Sequence, residues 1–156
     1  MKQMTLELIP SIQRPTVNLD KFYDLRAMID TGAVYPIWMV GEEKLSAIGA
    51  IKVKDEIEFG GIGGMTVGAI YKIPMFQIGD LIYPNMGIIA HKTNFPVPIL
   101  LPATMFNNLI YEINNKTHRL SITVPDDESN VRNLTIKDEN GKLHIFCSSA
   151  DTNVPE

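Results

Sequence analysis

Ala27-Met28-Ile29-Asp30-Thr31-Gly32-Ala33 sets an acidic residue at the exit of an apolar run. A carboxylate leaving a strand in that way is costly to bury unless it is hydrogen-bonded or protonated, which is a reason to look there for chemistry. Gly32 permits a tight turn whose amide approaches the carboxylate closely. The Thr31 hydroxyl both donates and accepts, so it can fasten this loop to a neighbouring one. Asp-Thr-Gly is also ordinary turn chemistry, and alone the triplet does not separate a catalytic acid from a polar turn.

Outward from Asp30, most apolar segments are short, β-branched and bounded by Gly, Pro, Asn or Asp, the pattern of an all-β domain. Strands are expected over Thr5–Ile9, Phe22–Ile29, Ala47–Val53, Thr66–Ile73 and Gly87–Ala90. Met75–Tyr83 reads as a hairpin turning at Gly79-Asp80, and Asn114-Asn115-Lys116-Thr117 as the loop joining Tyr111–Ile113 to Arg119–Val124. Leu134–Lys137 and Leu143–Cys147 flank Asp138–Lys142, whose Asn140-Gly141 step is the clearest hairpin signal in the chain. Pro102–Ile110 breaks the pattern. With Pro at a first helical position and Met105, Phe106, Leu109 and Ile110 at helical spacing, it predicts one short helix after a buried strand Pro98–Leu101.

The second distinctive stretch is Phe59-Gly60-Gly61-Ile62-Gly63-Gly64-Met65-Thr66-Val67. Its glycines suit a loop or hairpin tip and not a strand interior. Phosphate-binding readings fail in detail. A P-loop needs Lys after its last Gly, where Met65 stands, and a dinucleotide fingerprint begun at Gly61 needs Gly where Thr66 stands.

Asp30-Thr31-Gly32-Ala33, then Gly60-Gly61-Ile62-Gly63-Gly64, then an apolar strand and a short helix, resemble the retropepsin family of aspartic proteases over about residues 20–125. The resemblance implies an all-β, closed-barrel-like acid-protease fold acting as a homodimer. In such a dimer Asp30 of each copy would form a dyad that activates water for peptide-bond hydrolysis, with Thr31 and Gly32 completing the loop. Ala33 and the flap residues Gly60, Gly61, Ile62, Gly63 and Gly64 would bind the peptide or protein substrate, with Ile62 as the central apolar contact. The family needs no cofactor and no metal. Two features differ from its pattern. Leu100-Leu101-Pro102 carries Pro where the family usually has Gly, which removes a backbone donor and fixes φ, and Val34-Tyr35-Pro36-Ile37-Trp38 replaces a small polar residue after Ala33. A catalytically silent module of the same fold, binding peptides or partner proteins, is therefore the alternative reading. A third is an unrelated all-β binding domain with a fortuitous triplet.

Composition fits these readings. A chain of 156 residues with 45% hydrophobic content suits one domain over 1–150, with 134–147 as an added hairpin and a fraying tail at 151–156. The net charge of -4 and the lack of a basic patch argue against nucleic acid as a partner. The alternating N-terminus is unlike a signal peptide, and no apolar run approaches the ~20 residues of a membrane span, so no membrane association is expected. The single cysteine, Cys147, rules out an internal disulfide and suits a cytoplasmic location; it reads as a buried structural residue. His91, His118 and His144 fall in no metal-ligand motif, Asp126-Asp127-Glu128 reads as a solvated loop, and Tyr35, Ile37 and Trp38 read as core or interface residues.

Overall fold

The computed structural model describes residues 1–19, 25–61, 64–93 and 95–150. Twelve strands are assigned there: β1 (Lys2–Glu7), β2 (Thr16–Leu19), β3 (Leu25–Asp30), β4 (Ile37–Trp38), β5 (Ile51–Gly61), β6 (Gly64–Ile78), β7 (Leu81–Ala90), β8 (Ile99–Pro102), β9 (Ile110–Asn114), β10 (Arg119–Val124), β11 (Arg132–Glu139) and β12 (Lys142–Ser149). The largest sheet has the order β2-β3-β8-β4-β7-β6-β5, a second is β1-β10-β9, and β11 pairs with β12.

The pairing of β3 with β8 positions everything of functional interest. The two run parallel, with Ala27 opposite Ile99, Met28 opposite Leu100, Ile29 opposite Leu101 and Asp30 opposite Pro102. Parallel strands are covered on both faces and need a long crossover between them. Both requirements are met. Ala27, Ile29, Ile99 and Leu101 are buried on one face, Met28 is buried and Leu100 half-buried on the other, and the intervening chain supplies β4, a helix and β5 to β7. The core joins Trp38, Phe76 and Tyr83, with Trp38 and Tyr83 each meeting Phe76 edge-on at ring centroids 6.2 and 6.0 Å apart.

The hairpins expected at Gly79-Asp80, at 114–117 and at Asn140-Gly141 are present as β6–β7, β9–β10 and β11–β12. Asn140 and Gly141 both have positive φ, 54° and 81°, as a two-residue turn matched to strand twist requires. Three expectations need correction. The barrel is not closed: β2 and β5 are the two edges of the large sheet, and β5 is interrupted by register shifts near Lys54, with Glu56 at φ 52°. Such bulges and the charges of Lys52, Lys54 and Asp55 keep an edge from pairing further. The helix expected over Pro102–Ile110 is one 3-10 turn, Ala103–Phe106, after which Asn107 turns extended and Asn108 takes a φ of 64°. Met105 and Phe106 bury there, but Ile110 already belongs to β9.

The α-helix lies elsewhere, at α1 (Glu42–Ala47), and takes Ala47 from the strand expected at Ala47–Val53. Only Leu45 of α1 is buried, so six residues give no apolar periodicity to read, while Glu42 and Glu43 favour its first turn. The part of the expected strand 22–29 before Leu25, and the tail 151–156, lie outside the described residues. Among the described residues no helix is long and apolar enough to cross a membrane.

Gly68 of β6 tests how tightly the large sheet is packed. A Cβ there would sit 2.7 Å from the Ala90 carbonyl oxygen of β7 and 3.0 Å from Phe59. Gly68→Ala is expected to destabilise the protein by roughly 1–3 kcal/mol, measured by denaturant unfolding, because backbone and not a flexible side chain must move.

Candidate active-site loop and flap

Asp30 ends β3 and is partly exposed, with Thr31 and Gly32 exposed beyond it. The turn is closed by two bonds. The Gly32 amide donates to Asp30 Oδ1 at 3.0 Å, and the Ala33 amide to the Asp30 carbonyl at 3.1 Å. The first anchors the carboxylate in one orientation while leaving its other oxygen free of that bond. An added Cβ at Gly32 would meet Asp30 Oδ1 at 3.4 Å, an ordinary van der Waals contact. The loop is also held from β8. Pro102 stands in register with Asp30, and the Thr104 hydroxyl of the 3-10 turn donates to the Val34 carbonyl at 3.3 Å. Asp30 is thus pinned at a surface: Val34 beside it is 53% exposed.

Gly60, Gly61 and Gly64 lie at the far end of the β5–β6 hairpin, with Gly60 opposite Met65 and Gly61 opposite Gly64. Ile62 and Gly63 lie outside the described residues. Near the tip Met65 and Val67 are exposed. Lower down, Phe59 packs edge-on against His91, whose Nδ1 lies 3.0 Å from the Val67 carbonyl. At the hairpin's base a cavity of about 260 Å³, lined by Glu42, Lys52, Asp55, Tyr71 and His91 among others, does not include Asp30.

Sequence reading missed a buried polar cluster behind the 3-10 turn. Arg132, at the start of β11, is fully buried. Its Nε donates to the Met105 carbonyl at 3.2 Å, Nη1 to Ser149 Oγ at 3.2 Å, and Nη2 to the Asn107 carbonyl. The Met105 carbonyl also accepts from Tyr83 Oη at 2.7 Å and Cys147 Sγ at 3.6 Å. Glu128 balances the charge, 3.7 Å from Nη1 and hydrogen-bonded by Ser149 Oγ. Glu128 is therefore not part of a solvated loop, as expected from sequence, although Asp126 and Asp127 are exposed. No local pattern marks Arg132; an arginine between Val131 and Asn133 reads as a strand's solvent face until its partners from distant turns are known.

The histidines sit apart. His118 occupies a turn with φ 55° and His144 stacks on Phe146. Among the described residues no three His, Cys, Asp or Glu gather as a metal ion would require.

No protein-family model matches the chain, and no curated protein sequence does. Among solved structures it is similar to the crystal structure of a retropepsin-like aspartic protease from Rickettsia conorii. The two are 13% identical, the match covers 78% of this chain and 89% of that one, and the TM-score is 0.52. At that identity the likeness defines the fold, which is retropepsin-like and all-β.

Cys147 gives a chemical check on the buried cluster. Burial pushes its thiol up from the ordinary range, against the opposing pull of the Arg132 guanidinium. At neutral pH the thiol is then protonated and inert. Labelling of the native protein by a disulfide reagent should be slower than that of the unfolded chain by on the order of a hundredfold.

Proposed function

We propose that this chain is one subunit of a homodimeric aspartic endopeptidase. The observation that carries the proposal is the placement of Asp30: at the end of a buried parallel strand pair, its carboxylate oriented by the Gly32 amide, and held at a surface. A single such carboxylate is half of a water-activating pair, and a two-fold axis beside Asp30 would supply the other half from the second copy. Exposed Val34 next to the loop suits burial against that copy. Thr31 would fasten the two loops across the axis.

In the dimer the two Asp30 carboxyls share one proton, since two negative charges about 3 Å apart cannot both be ionised. The ionised member takes a proton from water as the water attacks the peptide carbonyl carbon. The protonated member donates to the carbonyl oxygen, and proton transfer to the leaving nitrogen completes cleavage. The β5–β6 hairpin would lie over an extended peptide, with main-chain groups of Gly60 to Gly64 and the side chain of Ile62 contacting it, as a strand adds to a sheet. Ala33 would line the floor. Exposed Met65 and Val67 support apolar side chains around the cut. A single buried thiol suits a reducing compartment, and the cytoplasm is the location we infer.

One observation favours the second reading, a catalytically silent peptide-binding module of the same fold. Pro102 stands directly opposite Asp30, so that position offers no amide donor beside the carboxylate.

The test compares the native protein with Asp30→Asn on a diverse peptide library from acidic to neutral pH, with sedimentation to follow association. Protease activity predicts a dimer and cleavage that falls by roughly a thousandfold or more in the variant while the dimer persists. A dimer that binds peptides without cutting them selects the silent module. A protein monomeric at every concentration rules out the shared dyad.

A further inference from the structure

The C-terminal hairpin β11–β12 has no place in the proposed chemistry, yet it holds the most buried charged side chain described in the chain. We propose that Arg132 is a positioning residue for the Asp30 loop, acting through the 3-10 turn Ala103–Phe106. The proposal takes its catalytic meaning from the endopeptidase reading, but the physical linkage stands on contacts already described.

The linkage has three steps. First, the turn is only four residues long and lacks a side-chain cap, so it has little stability of its own and takes its shape from tertiary partners. Arg132 supplies them, donating to carbonyls at both Met105 and Asn107 and so spanning the turn's end. A planar guanidinium fixes two carbonyls at once in a way a single ammonium does not. Second, the turn passes that position to the candidate site through Thr104, whose hydroxyl reaches the Val34 carbonyl, and through Pro102, in register with Asp30. Third, Arg132 itself is fixed. Glu128 and Ser149 hold its far side, and β11 is anchored by the Ile82 amide on the Asn130 carbonyl at 2.9 Å and the Ala150 amide on the Val131 carbonyl at 2.8 Å.

The hairpin therefore braces the back of the loop that carries Asp30. At its other end Asp138 pairs with Lys54 of β5, so the same hairpin also reaches the outer strand of the flap. One added element touches both parts of the proposed machinery, and Arg132 is its buried contact on the Asp30 side.

Amide hydrogen exchange reads this linkage without relying on catalysis. In Arg132→Lys, exchange at Asn107 and Leu109, whose amides bond back onto the turn, and at Gly32 and Ala33 in the Asp30 loop, should rise roughly tenfold or more, with β1, β9 and β10 unchanged. Thr104→Val should raise exchange at Gly32 and Ala33 while leaving Leu109 protected, because it cuts only the second step. With a cleaved peptide in hand, both variants should lower kcat roughly tenfold with KM within about twofold of native. Exchange that rises throughout the chain in Arg132→Lys, or in the turn but not at Gly32 and Ala33, overturns the proposal. Should Arg132→Lys fail to fold, Thr104→Val decides: unchanged exchange at Gly32 and Ala33 overturns it. A native protein that cuts nothing but shows the localised exchange pattern removes the endopeptidase reading and supports the brace.

Discussion

The parallel pairing of β3 with β8 is the constraint on which the rest of the structure depends. A parallel pair cannot close through a tight turn, so the chain must leave β3, build β4 to β7, and return. That excursion generates the long hairpin whose tip is rich in glycine, and the return places Pro102 and the 3-10 turn beside the Asp30 loop. Apolar burial makes the pairing favourable. Ala27, Ile29, Ile99 and Leu101 are each removed from water, at about 25 cal/mol for every Å² of apolar surface. The polar residue at the end of that strand is therefore held in place by a core that has nothing to do with its chemistry.

A second constraint comes from the far side of the chain. Burying Arg132 is acceptable only because its guanidinium finds the Met105 and Asn107 carbonyls, Ser149 and Glu128 together. Removing one partner of a buried pair of this kind costs about 3–5 kcal/mol, since the other charge is left without compensation. The cluster ties the last hairpin to a turn that would otherwise have weak local preference. It also explains why Cys147 is buried beside charge: its Sγ donates to the Met105 carbonyl, the same acceptor that Tyr83 and Arg132 use.

The open sheet shows how an edge is managed where closure is absent. β5 carries Lys52, Lys54, Asp55 and Glu56 along its exposed length and is broken by register shifts, which discourages pairing with another strand. Lys52 joins Glu42 and Asp55, and Lys54 joins Asp138, so these charges also tie α1 and the C-terminal hairpin to the edge. Exposed pairs of this sort contribute little individually.

The sequence alone determined the all-β class, three hairpins and the Asp30-Thr31-Gly32 turn, because each is written in local chemistry: Asn140-Gly141 needs positive φ, and Gly32 suits a close approach to a carboxylate. Legibility failed where a residue's state is set by distant partners. Met105, Phe106, Leu109 and Ile110 keep a helical spacing, yet Ile110 is drawn into β9 by its pairing with Thr123, and the turn ends early. Glu42–Ala47 has one buried residue and hence no periodic signal. Arg132 looks like any strand arginine until Glu128, Ser149 and the Met105 carbonyl converge on it from separate segments. Tertiary structure alone decided that Asp30 lies opposite Pro102, that Thr104 reaches the Val34 carbonyl, and that Arg132 of a hairpin about a hundred residues later holds the turn carrying Thr104. Backbone preference acts over a few residues, whereas burial and the satisfaction of buried charge act over whatever the fold brings together.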